Sequence, residues 1–521
     1  MYQQSRFLPA IDALLTSLVV ALVLGSALCF GGAVWWFRPA FALLAFVLVL
    51  AMLIRLLYER RLPIFKSPLT FLAFLALGLG LLQLIPLPPS LALRLSPTAH
   101  EIYSFGVIPD LVRADLPSAE LGEPAHVRSP ATLDRAATLR WLFSALACLG
   151  VFWAVSHFTD RLKRLYLVWG CVLAAFLLNG AFDLVQIAGG AQGLLGYLRG
   201  GGPVWAPTSS DLLDSPSTSS LLRLNDAFRS GSSPTPQPAV VVPHEPILMG
   251  TLMASTGAFL AFGSLALPLG LAIILHMLSP RGSRESLSAR LSQKGQGSLI
   301  VLLLILLVSS AFLVGMAAGP KLCAPFLVGV AAVGLASAFG SRTPALGLMV
   351  LLLASVGLGA ASGGAWPVVF GGSSPVTPIS CESTQLLWTD GLTIFRNFPI
   401  VGSGFGSFSA IHPYVKTRDA SSTTAMSSLI QWAAESGVIG MILLLSALLW
   451  ILYRLPAVVK RVGSADRTLA YGLIGAALGF SLWSVVHWTV ELPAVAISAS
   501  ALGGTWNRWL AGGTDLFVDR G

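Results

Sequence analysis

The sequence predicts an all-α, polytopic membrane protein with about twelve transmembrane helices and a large, partly helical external loop. Three observations carry that prediction. The composition is 55% hydrophobic and only 11% charged, against roughly 25% charged residues in an ordinary soluble domain. Apolar runs recur along the whole chain, each close to the roughly 20 residues that cross a hydrocarbon core. Short basic clusters fall in alternate loops between those runs, the arrangement that sets orientation in a bilayer.

The predicted spans are Ile11 to Ala33, Pro39 to Tyr58, Ser67 to Leu87, Arg135 to His157, Leu165 to Gly189 and Ile247 to Leu278. They continue with Ser298 to Ala317, Lys321 to Phe339, Pro344 to Ala361, Gly437 to Tyr453, Leu469 to Val490 and Pro493 to Leu510. Helices are required because lipid offers no partner for backbone N–H and C=O groups, which must pair within each segment. The first run follows Met-Tyr-Gln-Gln-Ser-Arg. It is longer than the core of a cleavable leader, so it reads as a retained first helix.

Orientation follows from the short loops. Arg60, Arg61 and Lys66 lie in one, Arg161, Lys163 and Arg164 in the next of the same parity. Arg281, Arg284, Arg290 and Lys294, then Arg342, then Arg454, Lys460, Arg461 and Arg467 continue the alternation. The positive-inside rule makes that face cytoplasmic and puts both termini there. The chain thus divides into an N-terminal bundle, 1–189, with an external loop at 88–134, and a Ser/Pro/Gly-rich, flexible external loop, 190–246. Central helices at 247–361, an external loop at 362–436, and C-terminal helices with a short tail at 437–521 complete it.

The loop at 362–436 has the most internal pattern. Leu386 to Phe398 reads as an amphipathic helix, with Leu387, Ile394 and Phe398 apolar and Asp390, Arg396 and Asn397 polar. A second short helix is predicted from Thr424 to Glu435, leading into the tenth span. Between them, Gly402-Ser-Gly-Phe-Gly-Ser matches a dinucleotide fingerprint in spacing alone, because a helix and not a strand precedes it. It reads as a tight turn that needs positive φ.

Composition and motifs exclude several classes. The net charge of +9 sits in the loops, with no basic stripe interleaved with aromatic residues, so nucleic acid is not an expected partner. Cys29, Cys148, Cys171 and Cys323 lie in or beside apolar runs and Cys381 lies in a loop, which makes no disulfide framework. No zinc spacing, Walker sequence, GxSxG or HExxH occurs, so neither a metal nor a cofactor is expected. The ionisable residues at the predicted external surface are His244, Glu245, Lys321, Arg396, His412, Lys416, Arg418, Glu435, His487 and Glu491. Lys321, Arg396, Lys416 and Arg418 suit an anionic head group or a diphosphate. They serve equally as solvated loop charges, and Lys321 as a snorkelling one. His412 reads as a satisfied structural histidine or as the candidate catalytic base, and Glu435 as a local hydrogen-bonding group or a substrate contact.

The segment Trp388-Thr-Asp-Gly-Leu-Thr-Ile-Phe-Arg-Asn-Phe-Pro-Ile-Val-Gly-Ser-Gly-Phe-Gly-Ser-Phe resembles the signature loop of the O-antigen ligase and polymerase superfamily. Gln431-Trp-Ala-Ala-Glu-Ser-Gly-Val-Ile-Gly is similar to the family's following helix entrance. Phe30-Gly-Gly-Ala-Val resembles the end of its first span, and Gln83-Leu-Ile-Pro-Leu-Pro-Pro with Ser96-Pro97 its third-span exit. Ala131-Thr-Leu-Asp-Arg-Ala-Ala-Thr resembles the fourth-span entrance, and His487-Trp-Thr-Val-Glu-Leu-Pro the last external corner.

The resemblance implies a GT-C-like membrane glycosyltransferase fold in a bacterial inner membrane. It implies transfer of a glycan from undecaprenyl diphosphate to an acceptor at the external face, with membrane lipids as surroundings and no metal. External arginines would hold the diphosphate, since guanidinium forks match phosphate oxygens, and a loop histidine would accept a proton. The chain departs from the family at four places. The family's histidine falls at Met426 and is followed by Ser427; its loop arginine falls at Thr384. Its polar motif after Gly250-Thr-Leu reads Met253-Ala-Ser-Thr, and its eighth-span entrance reads Gly319-Pro-Lys-Leu. Two alternatives stand beside a transferase: an inactive paralogue that binds a lipid-linked glycan or a partner protein, and a secondary transporter. Few midplane charges are visible in the sequence, which ranks transport last.

Overall fold

The computed structural model describes residues 4–29, 37–59, 68–105, 129–159, 162–188, 256–278, 296–338, 343–370, 381–416, 422, 424–461, 467–488 and 492–512. The described chain is helical, and its only bridge outside helices pairs Leu87 with Ser129. Helix α1 (Gln4–Val20) runs on through a π-helical turn (Ala21–Gly25) to Leu28. The N-terminal half continues with α2 (Phe37–Tyr58), α3 (Pro68–Leu84), α4 (Pro89–Leu95), α5 (Pro97–Phe105), α6 (Arg135–Phe158) and α7 (Leu162–Ala188). Then come α8 (Thr256–Leu278), α9 (Gln296–Leu322), α10 (Ala324–Ala338), α11 (Thr343–Phe370), α12 (Cys381–Asn397) and α13 (Phe408–Val415). The chain closes with α14 (Ser428–Arg461), α15 (Arg467–Val486) and α16 (Pro493–Gly512).

Among the described residues, nine helices are long and apolar enough to cross a membrane, which makes this a multi-pass membrane protein. The remaining three predicted spans fall on α3 and α10, which are apolar but shorter, and on α16, which carries Asn507 and Arg508. The loop at 190–246 and the basic clusters at 60–66 and 281–294 lie outside the described residues.

Helix α8 is the centre of the bundle, almost wholly buried against α7, α9, α10 and α15. Lipid gives apolar helices little reason to associate, so close packing of small residues has to do it. A methyl group on Gly475 of α15 would fall 2.6 Å from the Gly329 carbonyl oxygen of α10. Gly315 of α9 and Gly359 of α11 each press against the other helix's backbone, at Val356 and Phe312.

One end of the bundle is tied by charge. Asp12 of α1 pairs with Arg55 of α2 (3.2 Å) and Arg164 of α7 (2.5 Å), and Arg55 also meets Glu59 (3.0 Å). Helix α6 carries the chain to this end from the opposite one, where the described segments outside the bundle gather into a lobe. The lobe comprises α4, α5, 129–134, α12, 398–407, α13, 422, 424–427 and the first turns of α14. Its core packs Ile102 of α5 against Ile394 of α12, Phe398 just beyond it, and Phe408 and Ile411 of α13.

Three details of the loop differ from the sequence reading. Helix α13 was not expected. The predicted short helix at Thr424 to Glu435 and the tenth span are one helix, α14, kinked at Gly437 (φ 64°). Asp390, read as part of the polar face of its helix, is buried with Leu387, Ile394 and Phe398, because the lobe supplies it with a partner.

Candidate functional site

The lobe is held on the bundle by a knot of buried polar contacts. Gln83 is a lone amide in the last turn of α3, fully buried. Its Nε2 donates to the carbonyl oxygens of Val401 (2.7 Å) and Glu435 (2.9 Å), and its Oε1 accepts from Phe405 N–H (3.1 Å). Both amide hydrogens and one oxygen lone pair are thereby used, which removes most of the cost of burying an amide. The Gln83 carbonyl oxygen accepts from Thr132 N–H (3.1 Å). Thr138 Oγ1 donates toward Phe405 O (2.9 Å), and Asp134 Oδ1 caps α6 by accepting from Ala137 N–H (2.9 Å).

The glycine turn fits this knot closely. Gly402, Gly404 and Gly406 have φ of 76°, 108° and 76°, so the predicted positive φ is present. A Cβ on Gly402 would strike the Glu435 backbone and one on Gly404 would strike Thr132. Ser403 N–H and Gly404 N–H donate to the carbonyl oxygens of Ala434 (3.0 Å) and Glu435 (3.1 Å). At the Gly437 kink, Val438 N–H and Ile439 N–H leave the helical ladder for the carbonyl oxygens of Pro399 (2.7 Å) and Ile400 (3.2 Å). Phe405 stacks on Trp141 of α6 with ring centroids 3.7 Å apart.

Glu435 is buried, and its carboxylate accepts from Gly406 N–H (2.8 Å), Phe408 N–H (3.3 Å) and Gln431 Nε2 (3.1 Å). It sits at the N-terminus of α13, where free N–H groups and the helix dipole favour negative charge. Of its two sequence readings, the local hydrogen-bonding role is the one these contacts describe.

His412 is buried in α13. Its Nε2 donates to Asp390 Oδ2 (3.1 Å) and its Nδ1 accepts from Ser422 N–H (3.0 Å). That pair of contacts assigns a neutral ring with its proton on Nε2. Burial holds the imidazole below its ordinary value; Asp390 opposes this and nearby Lys416 adds to it.

Arg396 is exposed in the last turn of α12, and Lys416 is half-buried at the C-terminal cap of α13. Both positions suit a cation, because helix C-termini carry negative partial charge. Lys321 lies in the last turn of α9, beyond the Gly319 kink; its side chain is outside the described residues, as are Arg418, His244, Glu245 and Glu491. His487 stacks on Trp483 (5.0 Å), and its carbonyl oxygen accepts from Ser428 Oγ (3.2 Å). Met426 has φ of 52°, and its carbonyl oxygen accepts from Trp388 Nε1 (3.3 Å). Among the described residues, no group of three or more His, Cys, Asp or Glu side chains is placed to hold a metal.

Gln83, Thr138 and Asp390 were not among the candidates from sequence. All three lie in segments that carry the resemblance, and Gln83 left a further signal, an amide at the end of an apolar run just before Pro86. No protein family, curated protein or solved structure matches the chain.

Proposed function

We propose that the chain is an O-antigen ligase-like protein of the bacterial inner membrane, with both termini cytoplasmic and a GT-C-like scaffold. In this reading it handles an undecaprenyl-diphosphate-linked glycan at the external face. One observation supports it above the rest. Segments that carry the resemblance, around Gln83, Thr132, Gly402, Glu435 and His487, are far apart in sequence yet converge on one lobe. Arg396 and Lys416, with Arg418 and Lys321 from the sequence, supply positive charge for the diphosphate.

A specific observation favours the binding-paralogue version over a transferase. His412 has no exposure, and both of its ring nitrogens are engaged. A base must reach the proton it takes, so His412 would have to leave Ser422 or Asp390 first. The test uses the purified full chain in nanodiscs with an undecaprenyl-diphosphate glycan and a lipid A core acceptor. Transfer that falls in His412→Ala supports the ligase, binding without transfer supports the paralogue, and absence of binding defeats both.

A further inference from the structure

Toward the C-terminal end of α7, an aspartate is buried with no counter-charge among the described residues. Asp183 lies on α7, 1% exposed, and neither carboxylate oxygen has a hydrogen-bond partner among the described residues. One helical turn earlier on the same face, Asn179 is fully buried. Its Nδ2 is spent on the Ala175 carbonyl oxygen (2.7 Å), which leaves its Oδ1 without a donor. Across the seam, Ser310 of α9 is also buried, with Oγ unpartnered. Ser310 Oγ packs directly on Gly180, where any side chain would collide with it. Gly180 lies between Asn179 and Asp183, so the absent side chain leaves α9 close to both.

We propose that Asp183, Asn179 and Ser310 form a binding site for one monovalent alkali cation within the helix bundle. The reasoning is electrostatic. An ionised carboxylate in a dry interior is costly unless its charge is matched. Among the described residues, four oxygens at the seam have no partner: both of Asp183, Asn179 Oδ1 and Ser310 Oγ. The Ser310 hydroxyl makes no hydrogen bond to Asp183 or to Asn179 Oδ1, so a proton on Asp183 would serve at most two of them, the oxygen it is bonded to and one acceptor. An alkali ion accepts all of them as ligands. A single negative charge also matches a single positive one, whereas a divalent ion would leave net charge buried. Carboxylate, amide and hydroxyl oxygens are ligands for hard cations, and the cluster has no thiolate or imidazole to recruit a softer metal. The site stands on α7 and α9 and does not depend on what the lobe binds.

Thermal unfolding of the purified full chain, followed by tryptophan fluorescence at pH 8, tests this. Sodium, potassium and lithium chloride are titrated against N-methyl-D-glucamine chloride at constant ionic strength. At least one alkali ion is expected to raise Tm saturably over the organic cation, as mass action requires of a ligand bound by the native state. Asp183→Asn should abolish the saturable shift. Asn179→Ala and Ser310→Ala should each raise the apparent Kd about tenfold, the lower end of what a lost supporting group costs at metal sites. Equal Tm in all four salts overturns the proposal, as does a saturable shift that survives in Asp183→Asn. If that variant does not fold, unchanged Kd in both Asn179→Ala and Ser310→Ala overturns it instead.

Discussion

Nε2 of His412 stands 3.1 Å from Oδ2 of Asp390, and the two side chains are buried together between α12 and α13. On the other side of the ring, Nδ1 holds the Ser422 amide. A second proton on the ring would turn that acceptor into a donor facing N–H. The charge would also be buried, and Lys416 opposes it.

The first prediction is therefore a pH dependence of the lobe. Burial holds the folded-state value of His412 below the ordinary 6.5. The unfolded state then binds more protons in that window, so stability is full above about 6.5 and falls as pH drops toward the folded value. Protection of the Ser422 amide against hydrogen exchange, referred to the intrinsic base-catalysed rate at each pH, should fall between pH 7.5 and pH 5. In His412→Gln, which keeps a donor for Asp390, this loss of protection should disappear. An unchanged profile in that variant would assign the effect to another group.

Glu435→Gln is the second. The carboxylate accepts three hydrogen bonds, two of them from backbone N–H groups at the start of α13. An amide keeps one acceptor and turns an NH2 against the remaining donors. A loss of about 1–3 kcal/mol is expected, the cost of leaving buried partners unsatisfied. Chemical denaturation of the purified protein measures it, and a loss below about 0.5 kcal/mol would contradict the assigned contacts.

Met426 gives a prediction of opposite sign. Its φ of 52° lies in the left-handed region, where a long side chain is strained and asparagine is tolerated. Met426→Asn should raise stability by about 0.5–1 kcal/mol. The Trp388 contact is to the backbone carbonyl and survives the change. Tm of the two proteins under one condition settles the sign.

The fourth concerns orientation. In a chain freed of its five native cysteines, single cysteines at Ser217 and Ser421 should react with a membrane-impermeant maleimide on spheroplasts. Cysteines at Ser286 and Ser464 should react only after lysis. Labelling of the Ser286 position in intact spheroplasts would reverse the proposed topology.

The helices were legible because lipid imposes one rule on every crossing segment, a long apolar run, and over the described residues each predicted run overlaps one. The positive-φ glycines were legible because only glycine fits such turns at no steric cost. Gln83 was not legible as a support, since its partners lie 318, 352 and 322 residues further along the chain and no local pattern points to them. Asp390 was misread because amphipathicity assigns polar residues to the outside, and only the fold reveals a buried partner. Helix α13 is short and holds Pro413 in its interior, so propensity argues against it. Asp183 escaped notice because a single carboxylate barely alters the average polarity of a long apolar run.

The reach of Gln83 has a consequence for how the protein is made. The side chain enters the bilayer with α3, yet Val401 is synthesised 318 residues later. At about 5–20 residues per second, that is an interval of roughly 15–60 s. Throughout it, an amide destined for the interior has none of its final partners, and α3 itself is a short, marginal segment. The nascent chain therefore needs an insertase or chaperone to shelter α3 until the C-terminal half arrives. Nonsense fragments ending before Val401 should be recognised by membrane quality-control proteases and degraded faster than the full chain.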